Sequence, residues 1–355
     1  MNSPLAAFKL RAPRKCTVSR RDVLKTFAAA LPLGALPAGA LLAQEVNRKS
    51  AAKRGRIDVH SHMSSPSNPR SGSTRNWTPE KAIADMEKND IATAIVMPVN
   101  AIREDLWTGT EKARGLVRNN NEYGAKLVRD YPGRFGLYAA LPFIDVEGSL
   151  KEIAYAYDVL KTDGIGLWPD TGADKKWLGH TAFAPIFDEL NRRKAVVFIH
   201  ANTPACCHDL DPGVPDSMSE YDFDITRAVT SLLINGTLSR CPDIKFIIAH
   251  SGATIPMLAG RIKDRVPKVA QARIPNGTYY ELRKLYYEIA HASFPWSMAA
   301  LLKFAPVPQI LFGTDYPIER IESTIDELPA SNLSPETLRA IDRENAERLF
   351  PRFKA

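Results

Sequence analysis

Cysteine is scarce in this sequence: four in 355 residues, with Cys16 in the N-terminal leader and Cys206, Cys207 and Cys241 beyond it. An odd number without Cys-x-x-Cys spacing excludes a disulfide framework and a zinc-thiolate cluster, and leaves buried or incidental thiols. A surplus of one charge is also missing from most of the chain. The formal net charge is +7, but residues 1–43 hold seven Lys/Arg against the single acid Asp22, which leaves 40 basic and 39 acidic residues in the remainder. With no basic run after residue 60, a nucleic-acid partner is excluded. There is no internal repeat and no low-complexity tract. A composition of 45% hydrophobic and 25% charged residues is that of a folded globular protein.

The N-terminus reads as an address. "SRRDVLK" (Ser19 to Lys25) is a twin-arginine motif with Val23 where Phe is common, followed by the apolar "TFAAALPLGALPAGALLAQ" and a small-x-small cleavage site at Ala38 to Ala40. Residues 1–43 are therefore expected to be a signal peptide that engages the twin-arginine export machinery and directs a folded protein to the periplasm. An uncleaved membrane anchor is disfavoured, because the run is short and is broken by Pro32 and Pro37. Residues 44–55 form a polar linker to a single domain, 56–355.

Within that domain short β-branched runs alternate with longer stretches of helical spacing. The strand candidates are 56–62, 92–99, 134–142, 164–169, 195–201, 245–252, 285–292 and 309–317. The intervening helices are expected at 78–89, 111–131, 148–160, 182–193, 224–240, 255–266 and 295–304, with further helices closing the chain. Eight β-then-α units with continuously apolar strands predict a closed (β/α)8 TIM barrel, because such strands need both faces covered.

In such a barrel the C-terminal strand ends build the active site. The polar residues at those positions are His60 and His62 in "DVHSH", His200 on the fifth strand, His250 on the sixth and Asp315 on the eighth. His60 and His62 are two apart, so an extended strand presents both imidazoles on one face. A lone strand-end histidine is commonly a hydrogen-bonded structural residue, and an Asp in "GTDYP" can simply make an Asx turn. Structural histidines have no reason to gather at strand ends, and five metal-competent side chains at one barrel mouth point to a metal site. His180 and His208 read as surface residues; for His291 both pocket lining and core packing remain open.

The motifs "DVHSH", "LGHTAFAPIFDELNRRKAVVFIH", "IIAHSGATIP", "YYEIA", "ILFGTDYP" and "ENAERLF", in this order over residues 56–351, resemble the amidohydrolase superfamily. Within it they resemble the amidohydrolase-2 group, which holds metal-dependent decarboxylases of aminocarboxymuconate semialdehyde, 6-methylsalicylate and isoorotate; the stretch 177–206 is most similar to the 6-methylsalicylate branch. The resemblance implies that His60, His62, His200 and Asp315 bind one divalent ion, that His250 and Asp315 act in catalysis with His250 transferring the proton, and that the chain forms a homodimer or homotetramer. "HSGA" stands where "HGGG" is frequent, and Glu288 where the decarboxylases often carry Asp. The fourth strand, "GIGLWPD", ends without the lysine that bridges two ions in the dinuclear branches, so one ion is expected.

Three imidazoles and a carboxylate suit Zn²⁺ or Mn²⁺. An open position on such an ion supports either hydroxide attack on a lactone, ester or amide, or binding of an aromatic or enoic acid that loses CO2 while His250 protonates the carbon. A small carboxylate substrate needs an anchor. Arg261 and Arg265 in "GRIKDR" match positions that anchor substrate carboxylates in the resembling decarboxylases, one of them from a neighbouring subunit, and a solvated helix face is the alternative for both. Arg103 is a further anion-binding candidate, and Trp168 and Trp107 are candidates to stack on an aromatic ring. The expectation is an exported carboxy-lyase, with the hydrolase as runner-up. A catalytically silent binding protein is disfavoured because all five strand-end residues are present.

Overall fold

The computed structural model describes residues 55–66, 74, 76–98, 110–171, 176–202, 204, 207 and 213–354. The expected signal peptide, nearly all of the linker, Arg103, Trp107 and His208 lie outside the described residues.

Eight strands appear where the apolar runs place them: β1 (Arg56–Met63), β2 (Ile91–Pro98), β3 (Phe135–Ala139), β4 (Gly164–Leu167), β5 (Val196–Ile199), β6 (Lys245–Ile248), β7 (Tyr286–Glu288) and β8 (Ile310–Leu311). They form one sheet in sequence order with every neighbouring pair parallel. The sheet closes on itself. The amide of Val59 donates to the Phe312 carbonyl at 3.0 Å, that of His62 to Tyr316 at 2.7 Å, and that of Asp315 to His60 at 2.8 Å. The chain is thus a (β/α)8 barrel.

Between the strands run α1 (Pro79–Lys88), α2 (Glu111–Asp130), α3 (Val146–Tyr155), α4 (Ala184–Arg192), α5 (Glu220–Ile234), α6 (Ile255–Arg265) and α7 (Pro295–Phe304). Their starts follow local chemistry. Thr78 caps α1 by accepting from the Lys81 amide, with Pro79 in the first turn, and Asp145 caps α3 by accepting from Gly148. The helix expected over 224–240 begins earlier and is cut at Gly236, whose φ of 78° is the left-handed conformation glycine tolerates; a separate turn of helix follows at Thr237–Arg240. Two short helices, Lys268–Gln271 and Thr278–Arg283, were not anticipated, being too brief to show a helical period. Among the described residues no helix is long and apolar enough to cross a membrane.

The later strands are shorter than their apolar runs because the ladder ends before the run does. The remainder turns into the loops of the C-terminal face, so His200, His250 and Asp315 sit just past the last paired residues of β5, β6 and β8. Below them the barrel is filled by aromatic side chains. Phe198 stacks on Tyr138 with ring centroids 5.2 Å apart and meets the edge of His60 at 4.8 Å. It is fully buried. Phe198→Ala is expected to cost about 3–5 kcal/mol of stability, read from denaturant unfolding, since it opens a cavity directly under the site; an unchanged unfolding midpoint would show that the floor is not a packed layer.

Candidate metal centre

The site begins at an irregularity in β1, whose pairing with β2 shifts register between Asp58 and Ser61. There Asp58 turns inward and accepts from the His60 amide at 3.0 Å, the Thr314 amide at 3.1 Å and the Thr314 hydroxyl at 2.6 Å. Burial pushes its carboxyl up to about 7 even against these donors. The knot stitches the first strand to the last, and each contributes candidate ligands beside it. His60 and His62 share one face, as their spacing requires, with Nε2 atoms 3.1 and 2.7 Å from Oδ1 of Asp315. His200 brings its Nε2 within 3.7 Å of the same oxygen. One donor atom from each of His60, His62, His200 and Asp315 lies within 4.8 Å of all the others, and all four residues are buried.

Hydrogen bonds from behind orient the rings. Nδ1 of His60 donates to Oε1 of Glu288 at 2.9 Å, and Nδ1 of His200 donates to the Ala201 carbonyl. Each assignment leaves Nε2 as the nitrogen facing the cluster, and both Nε2 atoms are buried without a hydrogen-bond partner. Buried polar atoms without a partner are costly unless something satisfies them. Three imidazoles and a carboxylate fit a divalent cation.

The electrostatics agree. Burial opposes charge on His60, yet the carboxylates of Asp315 and Glu288 together hold it up to about 10, so in the metal-free protein the ring carries a proton at neutral pH. Burial pushes His200 down to about 3 and lowers His62 as well. Asp315 is ionised throughout: burial works against it, but the positive His60 and hydrogen bonds from the surrounding imidazoles keep it well below the usual carboxylate range. The His60 proton stands where the charge of a cation belongs.

His250 is close by without joining the four. It is buried, stacks on His60 with centroids 5.6 Å apart, and keeps Nε2 4.0 Å from Oδ2 of Asp315, with no hydrogen-bond partner on that nitrogen. Its Nδ1 faces Oδ1 of Asp222, at the start of α5, at 3.4 Å. Trp168 is buried directly after β4. Arg261 and Arg265 lie on the exposed side of α6 and are not brought into the cluster. Glu288, which sequence reasoning left without a role, and His291, for which pocket lining and core packing were both open, belong to it. Glu288, at the end of β7, accepts from His60, from the His250 amide at 2.7 Å and from the Ala290 amide at 2.7 Å. His291 places Nε2 2.9 Å from Oδ2 of Asp315. A charged residue at the end of an apolar strand was the available signal for Glu288, the same signal that identified the ligands.

Glu288→Gln is expected to weaken metal binding by about 10–100-fold, read by chelator competition, because the amide no longer fixes the His60 tautomer. Gly313→Ala should act in the same direction, since a Cβ there falls 2.2 Å from Oε2 of Glu288. Metal loading at pH 8 should release about one proton per ion, because His60 must give up its proton while Asp315 and His200 have none to lose, and affinity should rise with pH roughly tenfold per unit. Calorimetry in buffers of different ionisation enthalpy measures this; loading without proton release would mean that His60 is neutral in the metal-free protein.

Comparison with known proteins places this geometry. The amidohydrolase family profile matches residues 57–352. Among curated proteins, 6-methylsalicylic acid decarboxylase of Penicillium expansum is 32% identical over 315 residues, covering 84% of this chain and 97% of the relative. Decarboxylase macB of Penicillium terrestre is 32% identical over 327 residues, covering 84% and 96%. Among solved structures, a dihydroxybenzoic acid decarboxylase from a Polaromonas species, with bound manganese and the inhibitor 2-nitroresorcinol, superposes with a TM-score of 0.74 at 19% identity over 85% of this chain and 98% of that one. The chain belongs to the amidohydrolase family.

Proposed function

We propose that this protein is a metal-dependent, non-oxidative decarboxylase of a small aromatic acid bearing a hydroxyl beside its carboxylate, of the 6-methylsalicylate kind. The observation that carries the reading is His250: a buried imidazole at the edge of a complete ligand set, with its inward nitrogen unpartnered and its outer nitrogen turned to Asp222. In hydrolysis the base that takes the proton from water can return it to the leaving group, whereas decarboxylation needs a proton donor held beside the substrate carbon, and His250 has that position. The sequence similarity to curated decarboxylases over most of the chain supports the same choice.

His60, His62, His200 and Asp315 would hold the ion, which when bound supplies a positive centre for the phenolic and carboxylate oxygens. His250 donates the Nε2 proton to the ring carbon as the bond to the carboxylate breaks. The electron pair of that bond goes to the carbon, CO2 departs, and the ring keeps the proton. Asp222 faces Nδ1 and orients the ring. Trp168 is assigned the stacking role, and Arg261 and Arg265 the anchoring of a carboxylate across a subunit boundary in a homodimer or homotetramer, a reading their exposure on α6 supports. The ligand set accommodates Zn²⁺ or Mn²⁺, and manganese in the Polaromonas protein favours Mn²⁺. Export to the periplasm by the twin-arginine route rests on the N-terminal motif.

The test is mass spectrometry of products from metal-loaded protein with hydroxybenzoic acids and lactones. Loss of CO2 from 6-methylsalicylate or a relative is expected; water added to a lactone with the acids untouched would establish the hydrolase instead. His250→Ala should retain the ion and lose about 10²–10⁴-fold in turnover, whereas His200→Ala should lose both. Full activity in the His250 variant would remove that residue from the mechanism.

A further inference from the structure

The two oxygens of Asp315 face different partners. Oδ1 lies 3.1, 2.7 and 3.7 Å from Nε2 of His60, His62 and His200, whereas Oδ2 lies 2.9 Å from Nε2 of His291 and 4.0 Å from Nε2 of His250. Oδ2 and these last two nitrogens make a second set of three donor atoms, all within 4.8 Å of one another. His250 is 8% exposed and its Nε2 has no hydrogen-bond partner, so a buried lone pair is aimed into this set. His291, with 37% of its side chain exposed, gives the set an open side toward solvent.

We propose that His250, His291 and the outer oxygen of Asp315 form a second, inhibitory divalent-cation site, joined to the first by the Asp315 carboxylate. It uses no bridging lysine. Two imidazoles and one carboxylate oxygen select zinc, cobalt or copper over magnesium and calcium. Binding there follows the first ion and is weaker, because the shared carboxylate is already neutralised and the two dications repel each other. An ion in this position takes the Nε2 lone pair that carries the proton in decarboxylation. The inhibition therefore rests on the function proposed above, while the site itself rests on the geometry.

The test loads the full chain with Zn²⁺ by equilibrium dialysis and counts ions by mass spectrometry, with Co²⁺ as a paramagnetic substitute. Two ions per chain are expected at saturation and one in His291→Asn; asparagine is chosen because His291 has a φ of 55°, a left-handed conformation that Asn tolerates. In the unaltered protein the second equivalent of Co²⁺ should lower the electron paramagnetic resonance signal per ion, through coupling across the shared carboxylate. Turnover should fall by about 100-fold or more as the second ion is taken up, the loss expected when a general acid is blocked. One ion at saturation, or a second that is uncoupled and indifferent to His291→Asn, overturns the site. Two coupled ions in a protein that decarboxylates nothing would leave the site standing and overturn the function instead.

Discussion

The charge of Asp315 is the constraint around which the barrel mouth is organised. A buried carboxylate without compensation costs several kcal/mol, and this one is buried where eight strand ends converge. Its compensation comes from every side: His60 and His62 on the first strand, His200 after the fifth, His250 after the sixth and His291 after the seventh. The same demand reaches the backbone. Asp315, His250 and His291 all have φ between 53° and 60°, and non-glycine residues persist in such conformations, at about 1–3 kcal/mol each, only where the surroundings over-determine them. Here those surroundings include the Asp315 amide bonded to the His60 carbonyl and the His250 amide bonded to Glu288.

Glu288 links two functions that would otherwise be separate. One oxygen accepts from both the His60 ring and the His250 backbone, while the other holds the Ala290 amide. The orientation of the His60 ring and the placement of the His250 backbone therefore depend on a single side chain, whose ionised form is favoured by His60 in spite of its burial. The missing side chain at Gly313 is what leaves room for it.

Much of this was legible in the chain itself. The strands were visible because parallel strands covered on both faces must be apolar along their length, and the ligands because a polar residue at the end of such a run has few structural reasons to be there. His60, His62, His200, His250 and Asp315 all satisfied that rule. Glu288 satisfied it too, but a carboxylate that binds a histidine rather than an ion has no spacing of its own to betray it. His291 was ambiguous because β7 has only three paired residues, too few to show which side of the ladder a residue beyond it takes. Asp222 comes from a helix start, outside any strand-end rule. Arg261 and Arg265 illustrate the reverse limit: their place along α6 was correct, but spacing alone does not say what a solvent-facing guanidinium meets.

The seam between β1 and β8 also governs when the site can exist. Two of the four candidate ligands come from the first strand and another from just past the last, so His62 and Asp315 meet across 253 residues of chain. Closing so long a loop must be repaid by the whole barrel rather than by the contact itself. A growing polypeptide that has produced seven strands has His60, His62, His200 and Glu288 but lacks Asp315, the carboxylate that faces all three of these imidazoles. A centre built on Asp315 is therefore complete only once the eighth strand has closed against the first.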